Sequence, residues 1–191
     1  MTKDLMFRDE IEKLVADAYA ETDSPEGAPA RAHYRGDELA QLPEGAWEWS
    51  FGVGNPLPWA HLQPGETVLD LGSGAGMDVL LAARRVGETG KAVGVDMIPD
   101  MVERATRNAA AAGVTNVEFL LAKMDDLPLP DDSLDVIISN GAINLTARKS
   151  RVFAEARRVL KPGGRLAVTD LIIDETELPP EILTHPSAWA G

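Results

Sequence analysis

The chain has 191 residues, a formal net charge of −13 and 45% apolar residues, which is about one domain's worth of chain with ample material for a core and no sign of the basic face that a nucleic-acid partner requires. It has no cysteine, and His33, His61 and His185 have no metal-ligand spacing, so disulfides, thiolate nucleophiles and bound metals are not expected. No signal-like N-terminus and no apolar run of 18 residues occurs, so the expectation is a cytoplasmic protein with no membrane partner.

Leu5, Ile11, Leu14, Val15 and Tyr19 form a rough apolar stripe, predicting a helix over 4–20. Residues 24–48 contain Pro25, Pro29 and Pro43 with several glycines, and read as loop with short helical pieces. Trp47, Trp49 and Phe51 then stand just before the glycines at 52 and 54. Such a group either lines a pocket or anchors the N-terminal segment, and the sequence leaves both readings open. From residue 67 the pattern becomes regular. A strand over 67–71 and a glycine turn over 72–76 lead into a helix to about Arg85 carrying Val79, Leu80 and Ala83. A second strand follows over 92–95. Asp100 is a candidate N-cap for a helix to Ala112, with Met101, Val102, Ala105 and Ala109 on one face and Gly113 ending it. Strands over 117–121 and 134–139 come next. A helix over 149–160 is expected to bury Val152, Phe153, Ala156 and Val159 and to stop before Pro162, Gly163 and Gly164. The last strand is expected over 165–170, with a continuation toward Ile173 allowed.

Strands separated by helices imply an α/β fold, a doubly wound, mostly parallel sheet covered on both faces. Residues 1–47 read as a helical and loop extension, and 48–191 as the ligand-binding domain. Ligands of such sheets bind beyond the carboxyl ends of the strands, where strand order reverses.

The motifs fall at those ends. The first strand runs into Asp70, Gly72, Ser73, Gly74 and Gly76, a spacing that lets backbone turn sharply and approach a ligand. Asp96 ends the second strand 20 residues beyond Gly76, where a carboxylate can accept hydrogen bonds from both hydroxyls of a ribose. A solvated strand-end aspartate is the plainer alternative. Both NAD and S-adenosyl-L-methionine suit this geometry. Asp70 favours the second, because a carboxylate before the loop repels a pyrophosphate and attracts the ammonium of a methionyl group. After the third strand come Lys123, Met124 and Asp125. Met124 suits one face of an adenine, or is simply a core methionine. Asn140 ends the fourth strand, toward the methionyl end of the ligand.

These residues resemble the class I S-adenosylmethionine-dependent methyltransferases and, more narrowly, the arsenite methyltransferases. The resembling stretches are FGVGNPLP (51–58), VLDLGSGAGMDVLLAA (68–83), VGVDMIPDMVERA (93–105), the segment 116–145 ending in SNGAINL, and RVLKPGGRLAVTD (158–170). The resemblance implies a Rossmann-like methyltransferase sheet and S-adenosylmethionine as cofactor. It implies that Asp70, Gly72, Gly74 and Gly76 surround the methionyl part, with Ser73 also in the cofactor site, that Asp96 holds the ribose, and that Met97 and Met124 flank the adenine. Met101, Lys123, Asp125 and Asn140 complete the implied cofactor set. Where this chain has Lys123 the family often has an acidic residue. Family cysteines stand where this chain has Val53 and Gly141, so the residues that hold arsenic are missing and the small-molecule acceptor is not specified. The family also continues past the fifth strand, so the sheet is expected to end early here, in a fragment, a partly deleted paralogue or a subunit completed by self-association, with the strand-five edge of a complete chain covered by a second copy or by the N-terminal segment. Asp78, His61 and Tyr34 are the residues able to take a proton, but no catalytic residue is assigned. The alternative to an enzyme is a cofactor-binding or structural paralogue without turnover.

Overall fold

An apolar strand with no polar face must be covered on both sides. Val68, Leu69 and Leu71 are such a strand, and in the computed structural model, which describes residues 13–15, 17–19 and 23–172, they are fully buried. The strands are β1 (Thr67–Leu71), β2 (Lys91–Asp96), β3 (Val117–Leu121), β4 (Leu134–Asn140) and β5 (Leu160–Thr169). They form one parallel sheet in the order β3-β2-β1-β4-β5. Strand order therefore reverses between β1 and β4, which opens a crevice above their carboxyl ends.

From Ala28 on, the helices are α1 (Ala28–His33), α2 (Gly36–Leu39), α3 (Glu44–Glu48), α4 (Leu57–Ala60), α5 (Met77–Val86), α6 (Pro99–Ala112) and α7 (Lys149–Val159), with a 3-10 turn at Ile143–Leu145. On one face of the sheet, α5 packs among Val68, Val136 and Ile138 below and Ala30, Tyr34, Leu39 and Ala46 above. That is why its residues from Met77 to Ala83 are all buried. The short helices of 28–48 thus share a core with the sheet. On the other face, Val152, Ala156 and Val159 of α7 pack with Leu69, Leu71 and Ile137.

Several expectations are corrected. Phe153 is 47% exposed, because the buried face of α7 runs through Val152, Glu155, Ala156 and Val159 and Phe153 lies off it. Leu14 is 42% exposed while Val15 is buried; residues 13–15 and 17–19 are helical, and the rest of the helix expected over 4–20 lies outside the described residues. Asp100 is not the N-cap of α6. Ile98 is, because Pro99, with its preset φ and no amide hydrogen, takes the first helical position. Asp100 instead pairs with Arg104 at 2.6 Å. Finally, α7 ends at Val159 and β5 begins at once. Leu134 pairs with Leu160 and Val136 with Arg165, so Pro162, Gly163 and Gly164 form a bulge within the strand rather than a turn before it. Asp170 lies just past β5, and Ile173 lies outside the described residues.

Side chains fasten the loops below and beside the crevice. Arg158 donates to the carbonyls of Leu127 (3.0 Å) and Leu129 (2.8 Å) and to Glu155 at 2.9 and 2.7 Å. Glu155 also accepts from the Leu127 amide at 3.0 Å. Together they clamp the loop between β3 and β4 to α7. The Arg158 guanidinium holds the Glu155 carboxyl down to about 2.

Candidate functional site

The glycine turn is built against the ends of β1 and β2. The Gly72 and Ser73 amides donate to the Val95 carbonyl at 2.8 and 3.0 Å, and the Gly74 amide donates to Asp96 Oδ2 at 2.8 Å. Asp96 Oδ1 accepts from the Ile98 amide at 2.9 Å. The strand-end aspartate therefore braces the turn while still facing the crevice. Gly72 has φ +74, and a Cβ there would stand 2.4 Å from Ala142 Cβ, so a side chain is excluded by both conformation and space. Gly76 has φ +89 and is closely packed as well. A Cβ there would stand 3.0 Å from both Ala105 Cβ and Phe119 Cζ, where α5 starts close against α6 and β3.

Above the turn lies a cleft of about 1110 Å³, open mouth included. Of the residues singled out from sequence, Asp70, Gly72, Ser73, Gly74, Asp96, Met97, Met101, Lys123, Met124, Asp125 and Asn140 all line it. Gly76 is not among the lining residues. The N-terminal region contributes Val15, Tyr19, Trp49 and Phe51 to the wall. Tyr19 meets Phe51 edge-on at 5.1 Å, and the Arg104 guanidinium sits 3.9 Å over Trp49. The aromatic group thus divides its work: Trp49 and Phe51 line the cleft, while Trp47 packs against the core with Arg31 5.4 Å from its ring. Met124 also does two things, lining the cleft and packing against the core. Asp125 Oδ2 lies 3.3 Å from the Arg148 guanidinium.

The cleft is rich in buried carboxyl groups. Asp70, Asp78 and Asp96 are 3%, 6% and 9% exposed. Burial raises the Asp70 carboxyl well above its usual range, with Asp78 and Asp96 adding to the rise. Asp70 Oδ1 and Ser73 Oγ are buried with no hydrogen-bond partner. Burial also pushes Asp78 up to about 6, against the pull of Tyr34 and Asn140. It raises Asp96 too, although the Ile98 and Gly74 amides oppose it. Buried carboxylates with an unpartnered oxygen call for a cationic ligand group.

A hydrogen-bonded hub, not foreseen as a unit, joins the N-terminal region to the cleft. The Tyr34 hydroxyl donates to Asp78 Oδ1 at 2.5 Å. Asn140 Nδ2 donates to the Gly54 carbonyl (2.9 Å), and lies 3.2 Å from Asp78 Oδ2 and 3.1 Å from the Tyr34 oxygen. Asn140 Oδ1 accepts from the Val53 and Gly54 amides and from Thr169 Oγ1, at 3.0, 3.1 and 3.0 Å. Both ends of this amide are engaged with protein groups, so Asn140 positions the 53–54 loop over the ends of β4 and β5. That loop brings Val53 beside Gly141: a Cβ on Gly141 would lie 3.4 Å from Val53 Cγ1. His61 stands apart. It follows α4, and its carbonyl accepts from Arg165 at 2.7 Å.

A sequence profile described as a methyltransferase domain matches residues 62–190. The arsenite methyltransferase of Halobacterium salinarum is 45% identical over 161 residues, covering 84% of this chain and 41% of the relative. Among solved structures, an arsenic(III) S-adenosylmethionine methyltransferase from Chlamydomonas reinhardtii superposes with TM-score 0.66 at 36% identity, over 87% of this chain and 55% of that one. A SAM-dependent methyltransferase from Aquifex aeolicus superposes with TM-score 0.58 at 34% identity, over 65% and 68% of the two chains. The chain thus spans about two fifths of the length of this curated relative.

Proposed function

Because the chain belongs to the methyltransferase domain family, we propose that its cleft binds S-adenosylmethionine and that the protein transfers the cofactor's methyl group to a small-molecule acceptor other than arsenite. The observation that carries this reading is the buried, unpartnered oxygen of Asp70 beside a glycine turn braced by Asp96. An ammonium satisfies the first, and vicinal hydroxyls suit the second. A pyrophosphate suits neither.

When bound, the cofactor supplies an electrophilic methyl carbon on a sulfonium. In this reading Asp70 takes the ammonium, and Ser73 Oγ, which also lacks a partner, hydrogen-bonds the methionyl carboxylate. The turn around Gly72 and Gly74 gives close backbone approach. Asp96 takes the ribose hydroxyls. Met97 and Met124 flank the purine, with Met101, Lys123 and Asp125 around it. Asn140 acts one step away by holding the 53–54 loop. The chemistry asks mainly for positioning and exclusion of water, and the aromatic wall of Tyr19, Trp49 and Phe51 supports the exclusion. No proton acceptor is assigned for the acceptor molecule.

The acceptor is read from Val53 and Gly141. These neighbours offer methyl groups and backbone where a soft, thiophilic arsenic needs sulfur ligands. A cytoplasmic location and self-association across β5, an edge strand among the described residues, belong to the same reading. The test is transfer of a labelled methyl group from S-adenosylmethionine to a panel of small acceptors and to arsenite, with small thiols varied. Label is expected in an organic acceptor, with arsenite at the no-protein background. Methylarsenicals above that background contradict the acceptor assignment, and cofactor binding without any turnover identifies a non-catalytic paralogue.

A further inference from the structure

We infer that Asp78, held by Tyr34 and Asn140, is a charge-selectivity residue of the cleft, favouring a sulfonium ligand over its neutral thioether counterpart. This rests on the S-adenosylmethionine reading above and extends it to a residue that the motif does not include. Asp78 lies in the first turn of α5, lines the cleft, and shares it with Asp70. Its two oxygens are held by separate neighbours, Tyr34 on one side and Asn140 on the other. Both contacts are hydrogen bonds that favour the ionised carboxylate, and neither brings a positive charge. The charged groups that act on it are Asp70 at the end of β1 and the Arg85–Glu38 ion pair behind it, closed at 2.6 Å, while Asp96 at the end of β2 acts on Asp70. Arg85 is therefore already matched, and among the described residues Asp70, Asp78 and Asp96 face the cleft with no ion-pair partner.

Methyl transfer removes a charge from the ligand. The carbon–sulfur bond breaks with its electron pair left on sulfur, so the sulfonium becomes a neutral thioether while the acceptor gains the methyl group and loses a proton to solvent. A carboxylate in the cleft wall beside Asp70 favours the first ligand over the second. Coulomb attraction over about 6 Å at an effective dielectric of about 40 corresponds to about tenfold in affinity. The orientation of Asp78 by two neighbours from different elements fits a residue whose charge has to be kept in place.

The test is calorimetric titration of the full chain with S-adenosylmethionine and, separately, with its demethylated thioether product, at several pH values. Asp78→Asn keeps the shape and removes the charge. At pH 7.5 it is expected to weaken sulfonium binding about tenfold and to leave thioether binding within about twofold. The original protein's sulfonium preference should rise with pH through the region near 6, where Asp78 ionises, and the variant's should stay flat. A purely structural role for Asp78 weakens both ligands alike, and that result, or no change in either, overturns the inference. Tyr34→Phe keeps the carboxylate but removes a contact that lowers its pKa. It should move the pH midpoint of the preference upward, which serves as the readout if the Asn variant does not fold; an unmoved midpoint overturns the inference as well. If the original protein binds neither ligand, the S-adenosylmethionine reading itself fails and takes this inference with it.

Discussion

Asp96 accepts amide hydrogen bonds from Gly74 and Ile98 at 2.8 and 2.9 Å and still faces the cleft, so replacing it removes both a brace and a ligand contact. With about 1.5–3 kcal/mol for each charge-assisted hydrogen bond, and water entering the vacated space, Asp96→Ala should weaken cofactor binding about 30- to 1000-fold. Thermal melting of the ligand-free variant measures the brace, and cofactor analogues lacking ribose hydroxyls measure the contact, since they should lose little more when Asp96 is replaced. Folded Asp96→Ala that binds within about threefold of the original contradicts the ribose placement. Gly72→Ala tests the turn more severely. The added methyl meets Ala142 Cβ at 2.4 Å on a backbone with φ +74, and should lower stability by about 2–4 kcal/mol in a denaturant titration. At this scale the sequence was readable wherever a residue type is demanded by backbone or charge, as at Gly72 and Asp70. It was not readable where the partner comes from far along the chain. Nothing local says that Tyr34 finds Asp78, 44 residues on, or that the Asn140 amide is turned to the 53–54 loop. Gly76, at φ +89 and outside the cleft lining, is also fixed by the close approach of Ala105 and Phe119.

Among the elements, α7 shows how the frame below the cleft is tied. Arg158 satisfies two loop carbonyls and Glu155 at once. Arg158→Ala takes the guanidinium from both carbonyls and from a buried carboxylate that keeps the Leu127 amide, and should lower stability by about 2–4 kcal/mol, read as a fall in the urea midpoint. A change within about 0.5 kcal/mol means that water replaces the guanidinium and that the clamp contributes little. The strands and long helices were legible from apolar runs and periodicity because burial decides them. The misreadings arose where local signals compete. Pro99 outranks Asp100 at the start of α6, and the Pro162–Gly164 stretch makes a bulge because Leu160 has already paired with Leu134. Phe153 looked like core by composition, but the helical face turns it outward.

For the molecule as a whole, the unmatched carboxylates set a pH signature. Asp78 is raised from 3.8 to about 6, and Asp70 is raised well above 3.8. Groups with raised folded-state pKa favour the folded form fully below their unfolded values, and that contribution is lost as pH rises through the folded values. The ligand-free protein should therefore lose stability between pH 4 and pH 6 and beyond, by about 2–3 kcal/mol from Asp78 alone. Glu155 acts in the opposite sense, its contribution being present above 4.5 and lost as pH falls toward 2. Urea midpoints measured from pH 4 to 7.5 check this: Asp78→Asn should flatten the decline, and an original protein whose stability rises steadily from pH 4 to 7 contradicts it. A cationic ligand should offset the loss at neutral pH. The measurement closest to the central claim is accordingly a calorimetric comparison of S-adenosylmethionine with NAD on the full chain at neutral pH. One equivalent of S-adenosylmethionine should bind and NAD should give no saturable heat; tighter binding of NAD, or saturable heat from neither, contradicts the account.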